Sequence, residues 1–381
     1  YGARAANGVI LVTTKKGRSG APVISYDFYQ GWLTPTSLPK MADAATYAQM
    51  IREMQTYDGV DEANMLYSLE DIEKYKSGKY PWTHPNTNWL EEVLKKYSQN
   101  RNHNLTINGG GESVNYYLSF GTQWADAIFK NSPHRYNRYN VKGNLDIKVN
   151  KYLTINYDIN AIQENKITAG GYALDEDRTD ERLIFNVANQ ARPNDFNYFP
   201  NGFPSTGSFG ADYQPALLAT TLSGSNDRKV YRLNNLATAT LQIPGIEGLS
   251  VSSFLAYDMT LKKNKWFRKP IEAYFLDKSA YLAAGNTGIE DGSAFLIKTT
   301  NPAQPNLEER RSDFKSSTFN VKINYDRNFN GGHSLSAFAA YEQSDDFFES
   351  VSASRKYYIS GQLPYLFAGG DAEKDNYGAV N

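Results

Sequence analysis

The chain has 381 residues, with 40 Lys+Arg against 41 Asp+Glu and a formal net charge of −1. That balance lacks the basic excess of a nucleic-acid-binding surface, and the absence of cysteine excludes a disulfide framework, thiolate metal sites and thiol nucleophiles. Mean hydropathy is −0.58 and no run of about 18 apolar residues is available to cross a membrane as a helix, yet aromatics reach 14 %, with 28 Tyr and 35 Asn, an odd recipe for a packed, water-soluble core.

The N-terminal stretch runs from Tyr1-Gly2-Ala3-Arg4-Ala5-Ala6-Asn7-Gly8 through Val9-Ile10-Leu11-Val12-Thr13-Thr14 to Lys15-Lys16-Gly17. Its small residues allow close packing, Asn7-Gly8 supplies a turn that tolerates positive φ, and Val9 to Thr14 read as a buried strand. With no methionine or leader at Tyr1, the chain is expected to be an internal piece of a longer protein.

A first strand is expected over about 22–34, followed by a long connection carrying three helix signals. Tyr47, Met50, Ile51 and Met54 have i, i+3, i+4, i+7 spacing. Ser68 with Asp71 three residues on is a capped start, and Gly78 a stop. Asn88 ahead of Glu91 and Glu92 begins a third. These helices are expected to fold the connection on itself.

Beyond it, period two takes over. Leu153, Ile155, Tyr157, Ile159 and Ala161 alternate with Thr154, Asn156, Asp158 and Asn160. Phe319, Val321, Ile323 and Tyr325 alternate with Asn320, Lys322, Asn324 and Asp326, and residues 139–149 repeat the pattern. One face is apolar and the other polar. Nine strands are predicted, over about 22–34, 98–109, 113–125, 135–149, 151–165, 229–243, 249–266, 311–329 and 334–351. A soluble sandwich or meander with one wet face also alternates, but strands of soluble domains cluster near 5–6 residues, whereas a tilted membrane-crossing strand needs about 9–11. In the three clearest strands every Lys and Asp sits on the polar face; a Lys facing lipid at mid-depth would cost roughly 2–4 kcal/mol.

Connection lengths also alternate. Short Gly- or Asn-bearing turns at 108–113, 149–152, 244–248 and 330–333 separate long connections, as in outer-membrane barrels, whose turns are short on one side and loops long on the other. The expected fold is therefore all-β: a partial antiparallel transmembrane β-barrel, an open arc of a larger one, with short helices in the first outer loop. Ile155, Tyr157, Val321 and Ile323 are expected to face lipid, and Asn156, Asp158, Lys322 and Asn324 the lumen.

The opening stretch resembles the C-terminal end of the plug domain of TonB-dependent outer-membrane receptors. Arg4-Ala5-Ala6-Asn7-Gly8 followed by Thr13-Thr14-Lys15-Lys16-Gly17 resembles the SusC/RagA branch, since siderophore receptors usually place Gly where Asn7 stands. The stretch from Asn102 to Gly110, Tyr116 to Gly121, and Arg138-Tyr139-Asn140 are similar to that branch's following strands. The resemblance implies that residues 1–20 end a plug, with Tyr1, Gly2, Arg4, Asn7 and Gly8 as the plug-end motif. Residues 21–381 would then form the N-terminal part of a roughly 22-stranded barrel, with outer loops at about 35–98, 124–134, 165–229, 267–311 and 352–381. It further implies the outer membrane of a Gram-negative, Bacteroidetes-like bacterium and uptake of a glycan or peptide energised by TonB with ExbB and ExbD. A SusD-like surface lipoprotein would be the partner, with outer-membrane lipid around the barrel.

No enzyme chemistry is expected. His84, His103, His134 and His333 are scattered, no phosphate-cradling glycine motif or nucleophile elbow occurs, and no nucleic-acid partner, cofactor or metal is expected. The acidic run 175–181 lacks the glycine of a calcium loop and reads as a solvated face. Ligand contact falls instead to loop aromatics beside Asn, Asp and Arg: Tyr80, Trp82, Trp89, Tyr172, Phe196, Tyr198, Phe203, Phe209 and Tyr213. Loop packing is the competing role for each, and an interfacial girdle is the expected one for Trp124, Trp266 and Phe267. The functional expectation is part of a TonB-dependent importer of nutrients too large for porins. The alternative is a secreted, soluble β-rich glycan-binding module; an adhesin or porin would need no plug-like segment.

Overall fold

Period two leaves each strand with one apolar and one polar face, and antiparallel pairing brings like faces together. A computed structural model of the chain describes residues 15–171, 180–210, 214–301, 304–330, 332–371 and 374–380. Tyr1, Gly2, Arg4, Asn7, Gly8, Tyr172, Tyr213 and most of the acidic run lie outside the described residues. Among those described, the strands are β1 (Gly20–Leu33), β2 (Ser98–Gly110), β3 (Val114–Asp126), β4 (Arg135–Lys148), β5 (Leu153–Ala169) and β6 (Gly224–Gln242). They continue with β7 (Leu249–Arg268), β8 (Ile271–Leu276), β9 (Leu296–Asn301), β10 (Asn306–Phe329), β11 (His333–Lys356) and β12 (Lys374–Val380). Ten of them form a single antiparallel sheet in sequence order; β8 and β9 make a separate hairpin in the connection between β7 and β10.

All nine expected strands are present. The tenth, β12, lies in what reads by sequence as the last outer loop, where it pairs with the upper part of β11. Strand ends also differ: β10 starts at Asn306 and β11 runs to Lys356, each 24 residues long. Their extra residues, such as Glu308, Glu309 and Arg310, break the apolar alternation while the backbone ladder continues. At about 3.3 Å per residue such a strand is roughly 80 Å long, far more than a hydrocarbon core of about 30 Å requires, so its charged end has no reason to alternate.

The short turns gather at one end of the sheet and the long connections at the other. At the turn end Gly248 has φ +85°, and its carbonyl accepts the Asp326 N–H at 2.9 Å. A Cβ there would lie 2.2 Å from the Asp326 carbonyl oxygen, so only glycine fits.

In the first connection, α1 (Ala44–Tyr57) is capped by Asp43, and α2 (Leu69–Ser77) has a Ser68/Asp71 capping box and ends at Gly78 in the left-handed region. Asn88 caps α3 (Trp89–Val93). The three helices match expectation, but the buried face of α1 is Ala44, Ala45 and Ala48, while Met50 and Met54 are exposed. Small residues let α1 approach α2 closely, which its larger apolar stripe would prevent. Three more short helices follow: α4 (Asp180–Gln190), α5 (Pro215–Leu218) and α6 (Lys278–Ala283).

The largest hydrophobic core lies in the connections, not the sheet. Trp89, Leu90 and Val93 of the first connection pack with Phe129 of the second, Ile184, Ala188 and Leu217 of the third, and Ile271 and Ala273 of the fourth. A second cluster joins Trp82, Phe199 and Tyr281. Four separate connections thereby become one packed body over the long-loop end.

Candidate functional site

The register assembles one apolar surface across the sheet. Ile323 stands opposite Val251 on one side and Ala339 on the other; Ile155 stands between Ile147 and Ala239, and Tyr157 between Leu145 and Ala237. The belt continues through Leu118, Phe120 and Val141 to Leu105, Ile107, Ile24 and Tyr26. Most of these side chains are exposed. Monomeric soluble proteins rarely expose contiguous apolar patches beyond a few hundred Å², and this one crosses the sheet from β1 to β11. On β5 it runs from Leu153 to Ala161 and stops at Gln163, nine residues or about 30 Å along the strand, the span of a tilted membrane-crossing strand. Asn235, a polar residue inside the belt, accepts the Tyr157 hydroxyl at 2.9 Å.

The opposite face is polar and crowded. Asn144, 3 % exposed, donates to Asp158 at 2.9 Å, and Asn234 donates to Asp258 at 2.7 Å. Asn156 bonds Asp146, and the Lys322 ammonium lies 4.5 Å from the Phe338 ring centre. Crowding marks the concave side, where side chains converge. Towards the long-loop end a cavity of about 580 Å³ lies on this face across β6, β7, β10 and β11, lined by Arg228, Arg232, Lys262, Arg310, Phe314 and Phe348 among others. No local pattern in the sequence singles out these residues, because they converge only through the register of strands distant in the chain.

The packed loop body sorts the candidate aromatics. Trp82 and Trp89, 4 % and 2 % exposed, are core residues and offer no ring face to a ligand, a correction to their sequence assignment. Trp89 donates its indole N–H to the Arg192 carbonyl at 2.8 Å, and Trp82 stacks on Phe199. Tyr198 and Phe203 are 45 % and 44 % exposed, and Phe209 is likewise exposed; Phe203 stacks on Tyr274 with centroids 4.7 Å apart. Phe196 and Tyr198 come together in a cleft of about 520 Å³ with Glu92, Asn197 and His84. Tyr80 is half-buried with the Lys74 ammonium over its ring.

The expected girdle is also partly corrected. Trp124 lies on the apolar face with the Arg101 guanidinium over its ring, but Phe267 is 2 % exposed, packed with Leu307 and Tyr358 beneath the last connection. Trp266 lies on the concave face and donates to the Gly170 carbonyl at 3.0 Å. Beneath the loop cleft, burial lowers the His84 imidazole below its usual value despite the adjacent Asp71, keeping the ring neutral at pH 7. Its Nε2–H donates to Asp71 Oδ1 at 2.9 Å, leaving Nδ1 to accept from the Thr83 hydroxyl at 2.8 Å.

These features have counterparts in known proteins. No family model matches the chain. It is 25 % identical to TonB-dependent receptor P26 of Formosa agariphila over 85 % of this chain and 35 % of that protein. It is 24 % identical to receptor P3 of the same organism over 96 % of this chain and 31 % of that one. TonB-dependent receptor SusC of Bacteroides thetaiotaomicron is 30 % identical over 136 residues, 35 % of this chain and 12 % of SusC. The fold matches the RagAB peptide importer in its closed-closed state over the whole chain and 41 % of that structure, with a TM-score of 0.69 at 18 % identity. The chain spans about a third of the length of P26 and P3. The chain is thus similar in sequence to TonB-dependent receptors, SusC among them, and shares the partial-barrel fold of the RagAB importer.

Proposed function

We propose that the chain forms the first part of the wall and the outer loop body of an outer-membrane importer. The cargo is an oligosaccharide or a peptide too large for porins, and uptake draws energy through TonB with ExbB and ExbD. Residues 1–20 end the plug in this reading, and a SusD-like surface lipoprotein closes over the loop body. Exposed Tyr198 and Phe203, with Phe196 at the cleft, supply ring faces for the cargo; the barrel contributes conduit and binding surface, with no bond chemistry.

The continuous exposed belt carries the proposal. A secreted glycan-binding module would have to bury that belt in water-soluble form, and the described residues provide no second layer to cover it. The loop body agrees, since a packed cap over one rim serves capture from outside better than it serves simple support.

The deciding experiment is fractionation with uptake. The full-length protein should partition with outer membranes and require detergent for extraction, and deleting its gene should abolish uptake of one class of oligosaccharide or peptide while growth on monosaccharide persists. Recovery in the soluble fraction without detergent would remove the importer reading in favour of the secreted module.

A further inference from the structure

We infer that the cavity on the concave face, at the mouth of the wall, takes an anionic group of the cargo: the carboxylate or sulfate of an acidic oligosaccharide. The inference rests on the import reading and names its substrate class.

Register brings the cations together. Arg228 on β6 stands opposite Asn264 on β7, which stands opposite Arg310 on β10; in the adjacent row of that face, Val230 faces Lys262 and Lys262 faces Ser312. Arg232 completes the group. Two of the nearby acids are already engaged. Glu164 accepts from Arg232 at 2.5 Å on one oxygen and from the Tyr136 hydroxyl at 2.8 Å on the other. Glu308 accepts from Arg310 at 3.3 Å. Among the described residues Arg228 and Lys262 have no carboxylate partner, and both are exposed to the cavity. Like charges held on one wall repel, and a bound anion relieves that repulsion. The side-chain oxygen of Asn264 is buried there without a partner; rotated by 180°, the amide presents its NH₂ at that point, the orientation an anion favours.

The rest of the cavity favours a saccharide. Phe314 and Phe348 stand directly opposite one another and offer flat apolar surface for a sugar ring, with Ser312 and Ser350 beside them. An extended acidic peptide gains most from adding to a free strand edge; β6, β7 and β10 are paired on both sides, and β11 is paired with β12 over Glu349–Arg355, the stretch that carries Ser350, Val351 and Ser352 of this cavity. Position agrees as well. Arg228 is four residues from the loop end of β6 at Gly224 and fourteen from its turn end at Gln242. Deeper on the same face the charge reverses at Asp146, Asp158 and Asp258, each bonded by an Asn. An anion is therefore drawn to the mouth and held above the throat.

The test titrates detergent-solubilised full-length protein calorimetrically with a galacturonic acid hexasaccharide and a sulfated hexasaccharide. A neutral hexasaccharide and hexaglutamate serve as comparators. At least one acidic saccharide should bind about tenfold or more tighter than the neutral one at low salt, with the advantage shrinking as salt rises. Which of the two binds identifies the group. The double variant Arg228→Gln/Lys262→Gln should erase the advantage of the acidic saccharide over the neutral one while thermal stability is kept. The inference is overturned if neither acidic saccharide outbinds the neutral one, if hexaglutamate binds as tightly as the acidic saccharides, or if the double variant binds them unchanged. An acidic segment of the protein seated on the cavity gives the first of these results. Loss of the import reading shows separately, as absence from the outer membrane or absence of any uptake.

Discussion

His84 donates its Nε2–H to Asp71 Oδ1 at 2.9 Å, tying the segment that leads into α3 back to the start of α2. At Asp71 burial pushes the carboxyl upward, but the hydrogen bonds from His84 and Ser68 outweigh it and hold the group at about 2. His84 is lowered from 6.5 by burial, against the pull of Asp71. Both groups therefore bind protons more readily in the unfolded loop than in the folded one, and the stability they contribute is lost as pH falls. The His84 contribution is full above about 6.5 and fades below it. The Asp71 contribution fades from 3.8 toward about 2. Hydrogen exchange of residues 68–84, corrected for its intrinsic pH dependence, should quicken several-fold between pH 7 and 5. His84→Gln should flatten that step. Equal protection at both pH values would show that the pair does not anchor this segment.

Trp89 should behave as a core residue. Its burial beneath four connections, with a bond to the Arg192 carbonyl, predicts that Trp89→Ala costs about 3–5 kcal/mol of loop-body stability. Limited proteolysis should then cut within 34–97 or 182–210 while the wall remains intact. By contrast Tyr198→Ala, on the exposed cleft, should leave proteolysis unchanged and weaken cargo binding. The reverse pattern would return Trp89 to the ligand-contacting set.

Orientation can be read from one adjacent pair. Ile323 lies on the apolar belt and Asn324 on the concave face, where it donates to the Ser252 hydroxyl at 3.4 Å. An Arg at mid-belt costs roughly 2–4 kcal/mol, against little in a watery lumen. Ile323→Arg should therefore reduce the amount assembled in the outer membrane sharply, and Asn324→Arg only slightly. Equal effects would contradict the assignment of faces.

The turn end offers a matched control. Gly245 and Gly248 both have positive φ, but a Cβ at Gly245 meets nothing within 4 Å, whereas at Gly248 it meets the Asp326 carbonyl at 2.2 Å. Gly245→Ala should cost about 1–2 kcal/mol for backbone conformation alone. Gly248→Ala should cost more, because the neighbouring strand must shift. Thermal denaturation of the folded barrel, followed by gel mobility, should rank the two variants in that order.

Much of the wall is legible in the order of its residues. Period two is a local property, so Leu153 to Ala161 and Phe319 to Tyr325 announce their strands and their faces, and a cap such as Ser68 with Asp71 announces its helix within four residues. The short turns also tie β2 to β3, β4 to β5, β6 to β7 and β10 to β11 as neighbours, whereas β12 carries no such signal.

What only tertiary structure decided is what depends on residues far apart in the chain. Trp89 and Tyr198 look alike as loop aromatics beside polar neighbours; only the packing of four connections buries one and exposes the other. The same holds for α1, whose buried face is chosen by the close approach of α2 and not by its own apolar stripe. Arg228, Lys262 and Arg310 are scattered over more than 80 positions and become neighbours solely through the register of β6, β7 and β10. Alternation determines which side of a strand is wet, because that choice is made residue by residue. It carries no information about which wet residues meet, because that is set by where distant strands begin to pair.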